Sequence, residues 1–415
     1  MPMASAMRPG TRQVSASLSA TLFYVFGPVP LYFAAARGFG GEDVALGGFV
    51  AVFLTAGVFT AALSWWSRQP LALGWSLPGL LFIVAASREY SMEEVAGASL
   101  VASLAVLAMS LAGVVGRVER LIPQEVAMAV LAGSALGLCL APFTALGQEP
   151  AVVAPTMLGF FAARAANVNW FPAAAGAVVV GLPAAILLGP DPGLAAPGLP
   201  PAHPLLPSFS ADAVVALAPP LVVFVLIGNA QGRAVLTANG YEPPSGVVGA
   251  ATGLMGAVHA VLGGPPASMQ RVAMAVLTGD DAGERVRRWQ AAVLAGAGCV
   301  VIAAFALPLD AFTASLHPAF VDAVIGLLLL KVLADALKRA TERGSIAGPV
   351  AFCVAASSIA LAGLTPEFWA LAIGCAVAVF ERVQAGRPAG ALSSSAASPQ
   401  NPPHLHPHLE GATPR

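Results

Sequence analysis

Charge is what this chain lacks most. Lys and Arg total 20 and Asp and Glu total 21 over 415 residues, so 10% of positions are charged. A soluble globular domain carries about 25%. That shortage excludes a soluble fold. A net charge of −1, with no basic patch interleaved with aromatics, excludes a nucleic-acid partner. Cysteine is scarce too. Cys139, Cys299, Cys353 and Cys375 stand alone in apolar runs without CxxC or metal-ligand spacing, and read as small core residues. No HExxH, GxSxG or Walker loop occurs, and the polar loops are too short for a catalytic domain. The expectation is therefore no enzyme, no cofactor and no metal. The opening MPMASAMRPGTRQ carries no apolar stretch followed by a small-residue cleavage site, so no cleaved signal is expected.

What is present is hydrophobicity. Apolar residues make up 57% of the chain and the mean hydropathy is +0.79, which predicts an all-α polytopic membrane protein. A spanning helix needs about 20 apolar residues. Fourteen segments qualify, several of them short or broken: 15–36, 44–65, 70–87, 94–116, 121–140, 151–164, 170–189, 212–230, 245–261, 262–278, 288–307, 316–338, 346–363 and 367–383. The Pro-, Ser- and Gly-rich stretch 386–415 is expected to be a disordered tail, and its HLHPHL run reads as solvated rather than metal-binding.

The few cations set the orientation. With the N-terminus inside and fourteen crossings, sixteen of the 20 Lys and Arg fall on the cytoplasmic side. Only Arg37 and Arg88 fall outside, while Arg271 and Lys331 lie within spans. This bias follows the positive-inside rule and predicts a bacterial inner-membrane protein with both termini cytoplasmic.

Proline placement suggests a duplication. Pro78 interrupts the third span and Pro266 the tenth, 188 residues apart. Pro123 opens the fifth and Pro318 the twelfth, 195 apart. GPVP in the first span and APP in the eighth are about 190 apart. Each offset equals seven spans, and an odd number of spans inverts the second half relative to the first. The predicted organisation is a cytoplasmic segment 1–13, a first repeat 14–190, an external loop 191–211, a second repeat 212–385 and the tail 386–415. Matched interrupted spans in two inverted halves point to a transporter's substrate site. Proline breaks the helix, and non-helical backbone survives at membrane depth only where protein or a water-filled cavity surrounds it. The half-helix that follows aims its N-terminal amides at the bilayer midplane, where they attract an anion.

Three stretches carry a family resemblance. LGWSLPGLL (73–81), VERLIPQEVAMAVLAG (118–133) and GNAQGRAVLTANGY (228–241) resemble motifs of the benzoate:proton symporter family, and LTGDDAGERVRRWQAAVLAG (277–296) is similar to one of its loops. The family is similar in fold to the nucleobase-ascorbate and sulfate-permease transporters. The resemblance implies a 7+7 inverted repeat in which four spans of each half form a core domain and three form a gate. It also implies a proton-coupled carrier of a benzoate-like anion working by alternating access, with a possible homodimer contact on the gate. The chain departs from the family where it usually reads GGHxxNLAAITA. Here Pro265 stands at the histidine, Ser268 at the asparagine, and Gln270 and Arg271 at two alanines.

The individual residues leave alternatives open. Arg271, on the half-helix after Gly264 and Pro266, binds the substrate carboxylate or forms an ion pair locking the domains, with Asp322 or Glu125 as partner. Ser268 and Gln270 are two residues apart, about 200° round a helix, so only one faces the substrate. Ser268 is preferred, and polar packing is the alternative. Asn229 stands where the nucleobase transporters carry a substrate-binding glutamate, which favours an anionic cargo. Otherwise it, with Gln231 beside it, caps the end of the eighth span. Trp75 and Ser76, just before Pro78, line the cavity from the first half, with Trp75 stacking on an aromatic substrate or simply packing. The coupling proton rides on Glu125, Asp322, His259 or the substrate itself. Lys331 and Asp335 read as an i,i+4 pair. A sulfate-permease-like or nucleobase-like carrier, or a channel or non-transporting scaffold, are the competing functions.

Overall fold

The computed structural model describes residues 9–385 except Gly27, Arg88, Ile122, 167–172, 191–197, 199, 201–203, 358–360 and 362–364. The expected tail, its histidines, and most of the expected external loop lie outside these residues. The first half holds α1 (Thr11–Phe26), α2 (Pro28–Ser67), strand β1 (Leu73–Trp75), α3 (Leu77–Ala86), α4 (Met92–Leu111), α5 (Val115–Leu121), α6 (Gln124–Gln148), α7 (Pro150–Ala166) and α8 (Ala173–Leu187). The second holds α9 (Ala211–Ala238), α10 (Ser245–Val261), strand β2 (Ala267–Met269), α11 (Arg271–Thr278), α12 (Arg288–Ala304), α13 (Ala306–Ala314), α14 (Pro318–Thr341), α15 (Ala347–Ala356) and α16 (Pro366–Ala385).

This is an integral membrane protein. Among the described residues, five helices are long and apolar enough to cross a bilayer: Val44–Ser67 within α2, α4, α6, α9 and the stretch Arg285–Ala304. Local signals explain where helices begin. Ser91 and Glu94 form a reciprocal capping box at α4. Ser210 caps α9 through the Ala213 amide, 3.3 Å away. At α14, Pro318 occupies the first turn, where no amide partner is lost.

Several expected spans are corrected. The first and second are not separated by a loop at Arg37–Asp43, because helical backbone runs unbroken over the 40 residues of α2, a segment with no proline after Pro30. Asn229 does not end its span, since α9 continues nine residues beyond it. Of the thirteenth, 358–360 and 362–363 lie outside the described residues, and its described helix is α15. α15 has 10 residues, roughly 15 Å of helix and about half a bilayer. The third and tenth do hold half-helices, and each is preceded by a short strand that the sequence did not announce. Cys139 and Cys299 are buried as expected, but Cys353 is exposed.

At the strands, the half-helices and the helices α6 and α14 the two halves match at one spacing, close to the Pro123–Pro318 offset and six more than the Pro78–Pro266 one. β1 and β2 begin at 73 and 267, α3 and α11 at 77 and 271, and α6 and α14 at 124 and 318, each pair 194 apart. Pro78 therefore corresponds to Val272, and Pro266 to Ala72. Proline sits after the strand in one half and before it in the other. Packing follows the same correspondence. α4 on α10 is matched by α12 on α2, α4 on α9 by α12 on α1, α7 on α8 by α15 on α16, and α6 on α15 by α14 on α7. α6 and α14 pack on each other. One set of helices (α1–α4, α9–α12) packs chiefly within itself, and so does a second set (α6–α8, α14–α16). The sets meet where α3 and α9 touch α6, where α9 touches α16, and where α14 touches α2.

Candidate functional site

The two strands form one antiparallel pair, with Gly74 opposite Ser268, Leu73 opposite Met269 and Trp75 opposite Ala267. Two further bonds extend it in matched positions. The Ser76 amide donates to the Pro266 carbonyl at 2.6 Å, and the Gln270 amide to the Ala72 carbonyl at 2.8 Å. The sheet brings the N-termini of α3 and α11 to one place.

Backbone that is not helical must be satisfied by other groups at membrane depth. Side chains of neighbouring helices do this at the sheet's outer edges. Thr60 of α2 accepts from the Leu73 amide at 2.9 Å. Asn229 of α9, 1% exposed, accepts from the Met269 amide at 3.0 Å through Oδ1. Its Nδ2 donates to Thr252 of α10 at 2.9 Å. Asn229 thus holds β2 against α9. Gly228 and Gly232 make that approach possible. A Cβ on Gly228 would lie 2.8 Å from the Ser268 side chain, and one on Gly232 would lie 2.4 Å from Met269 Cβ.

The turn before β2 is equally constrained. Gly263 adopts φ +79°, a conformation favouring glycine. His259 is 0% exposed and committed on both ring nitrogens. Nδ1 lies 2.8 Å from the Pro265 carbonyl, which can only accept, so Nδ1 carries the proton. Nε2 lies 2.7 Å from Thr55 Oγ1. The Gly264 amide donates to the His259 carbonyl at 2.7 Å. His259 pins the GGPP turn to α2.

The two half-helices start differently. Ser76 caps α3 by accepting from the Gly79 amide at 3.2 Å, and Pro78 has no amide, so among the described residues only the Leu77 N–H of that turn lacks an acceptor. Gln270, at the matching position, does not cap α11. Its Nε2 instead donates to the Trp75 carbonyl across the sheet. Among the described residues nothing accepts from the amides of Arg271, Val272 and Ala273. Arg271 is half-buried and makes no hydrogen bond or salt bridge among the described residues, while Val272 is 47% exposed. At its other end α11 is anchored by a buried cation. Arg288 donates to the Thr278 carbonyl, to Gly283 at 2.8 Å and to Asp280 at 2.9 Å, complementing the negative end of the helix dipole.

The predicted site residues sort accordingly. Trp75, Ser76, Pro78, Gly264, Pro266, Ser268, Gln270, Arg271 and Asn229 come together at the sheet and its two helix starts. Ser268 and Gln270 do not share a half-helix. Ser268 is the middle residue of β2 and Gln270 precedes α11. Trp75 is buried, edge-on to Tyr32 at 6.1 Å between ring centroids. Gln231 faces the second helix set, donating to Met128 Sδ of α6 at 3.6 Å. Glu125 and Asp322 do not meet Arg271. Glu125 pairs with Arg343 at 3.3 Å, and Asp322 is exposed near the start of α14. The carboxylate within electrostatic range of Arg271 is Asp335, beside Arg339. Asp335 also forms the expected pair with Lys331 at 3.2 Å. No local signal marked Thr60 or Thr252, because Thr60 serves the Leu73 amide 13 residues away and Thr252 serves the Asn229 side chain 23 residues away.

Comparison with known proteins fits this geometry. Inner membrane protein YdcO of Escherichia coli is 28% identical over 334 residues, 79% of this chain and 85% of that protein. The benzoate membrane transport protein of Acinetobacter baylyi is 25% identical over 370 residues, 86% of this chain and 92% of that protein. Among solved structures, the transmembrane domain of the cyanobacterial bicarbonate transporter BicA superposes with a TM-score of 0.58 at 16% identity, covering 89% of this chain and 98% of that one. Murine Solute Carrier 26 family member A9, an anion transporter in the inward-facing state, gives 0.58 at 15% identity, covering 91% and 69%. At these identities the structural likeness is one of fold. The family model described as benzoate membrane transport protein runs over residues 9–380, through both half-helices and both strands, and the chain belongs to that family.

Proposed function

We propose that this protein is a secondary active carrier of a small organic anion, a benzoate-like carboxylate, moved with protons by alternating access across the bacterial inner membrane. The carrying observation is the start of α11. Among the described residues, three amides without an acceptor and a guanidinium without a hydrogen bond or salt bridge stand there beside the paired strands. Amides at a helix N-terminus favour an anion, and a guanidinium matches a carboxylate in two parallel bonds. In this reading the constant 194-residue spacing and the matched packing mark a 7+7 inverted repeat, with α1–α4 and α9–α12 as core and α6–α8 and α14–α16 as gate. Both termini are cytoplasmic.

The state is read from the seams. α3 packs against α6, whereas the corresponding pair, α11 and α14, makes at most glancing contact. Arg271, Lys331, Asp335 and Arg339 border that looser seam, which we take as the cytoplasmic path. Movement of the gate toward α11 would bring Asp335 onto Arg271 and close it.

A second reading, a small inorganic anion as cargo, is favoured by Trp75. Its ring packs on Tyr32 and offers no free stacking face in this state. Uptake into proteoliposomes separates the two. Benzoate that accumulates under an inward proton gradient supports the first. Bicarbonate or sulfate uptake that benzoate does not inhibit supports the second. No gradient-driven, saturable uptake of any of these contradicts both.

A further inference from the structure

We propose that Glu367 is a proton-binding site whose occupancy holds the seam between the two helix sets closed around α16. The inference rests on the carrier reading only for its use in transport. The site itself stands on geometry. Glu367 is the second residue of α16 and 4% exposed. Its Oε1 accepts from Ser134 Oγ of α6 at 3.4 Å. Ser134 lies nine residues beyond Glu125, roughly 14 Å deeper along a 25-residue apolar helix. The carboxyl is therefore within the span, not at its edge.

The surroundings belong to both helix sets. α16 packs on α15 and α6 of one set and on α9 of the other. The buried cluster at this junction combines Ile83 and Ala86 of α3, Leu217 of α9, Val130 of α6 and Ala370 of α16. Among the described residues no cation lies within salt-bridge distance of the carboxyl. α15 contributes only Cys353, which is exposed. α6 contributes Cys139 and Glu125, the latter committed to Arg343. α9 contributes Asp212 and Arg233, and neither lies within salt-bridge distance. On α16 itself, Glu381 is bound to Ser345 and the Ile346 amide, while Cys375 and Arg382 lie two or more turns away. Among the described residues the charged group within electrostatic range is Glu89, in the turn after α3, and it has the same sign. A carboxylate left ionised in such a site demands a counter-charge or water. Here a proton is the available counter-charge. Bound, it lets α16 and α9 stay packed. Lost, it admits water and parts them.

The test needs no substrate. Spin labels are placed at Val215→Cys on α9 and Ile373→Cys on α16, both exposed positions, with the four native cysteines replaced by alanine. The inter-label distance should lengthen as pH rises in the otherwise native protein and stay short at every pH in Glu367→Gln. A pH response in Glu367→Gln equal to the native one, or none in either, overturns the proposal. Should Glu367→Gln not fold, Ser134→Ala serves instead. Removing a donor to the ionised form should move the transition to higher pH, and an unmoved midpoint overturns the proposal. Because no cargo is involved, failure here leaves the carrier reading intact, and failure of the uptake assay leaves this one intact.

Discussion

The half-helices α3 and α11 occupy matching positions in the two halves, and they differ at their first turns. α3 is finished as structure. Ser76 caps it, Pro78 removes one amide, and it packs on α6. α11 is left open. Gln270 is spent on the Trp75 carbonyl, three amides have no acceptor among the described residues, and Arg271 stands in the first turn. One backbone design thus yields a supporting half and a chemical half. In the proposed reading the second half would carry the ligand and the first would keep the sheet in place.

Substitutions that blur this difference have graded effects. The largest is expected from Asn229→Ala, which removes the acceptor for the Met269 amide and the partner of Thr252. An unsatisfied buried group costs about 1–3 kcal/mol. Thermal unfolding of the purified protein should show a lowered midpoint, and ligand binding should be lost with it because β2 no longer seats α11. Gln270→Ser should act more narrowly. It copies the Ser76 cap onto α11 and ties up an amide that the anion would use. A titration of benzoate should show affinity reduced severalfold, in line with one hydrogen bond of about 0.5–1.5 kcal/mol, with little loss of thermal stability. Smallest for binding is Ser76→Ala. The lost cap costs about 1 kcal/mol of stability, while benzoate affinity should stay within about twofold of the native value, since α3 offers a ligand little.

The sequence made the breaks visible but not their register. Pro78 and Pro266 announced two interrupted spans, yet they flank the strands on opposite sides, so that pair gave an offset of 188, whereas Pro123 and Pro318, 195 apart, came within one residue of the 194 that the backbone gives. Arg271 was legible because a lone charge in an apolar run has few explanations. Its neighbour Asp335 was not, since a helical i,i+4 pair already accounted for it. Asn229 was noticed for its position in the family motif. Its bond to β2 spans 40 residues of sequence and follows only from the close approach that Gly228 and Gly232 allow. Glu367 carried no signal at all, because an acidic residue in the first turn of a helix is ordinary in sequence. Its burial against Ser134 is a tertiary fact.

The central claim is that the start of α11 is the anion site, and Arg271 tests it most directly. Isothermal titration of benzoate into purified native protein and Arg271→Ala, with thermal unfolding as a folding control, measures the guanidinium's share. Hydrogen bonds to a charged group contribute about 1.5–3 kcal/mol, so affinity should fall about ten- to a hundredfold while the unfolding midpoint holds or rises, because a half-buried unpaired charge has been removed. Unchanged affinity in a folded Arg271→Ala protein would contradict the assignment and move the anion elsewhere in the molecule.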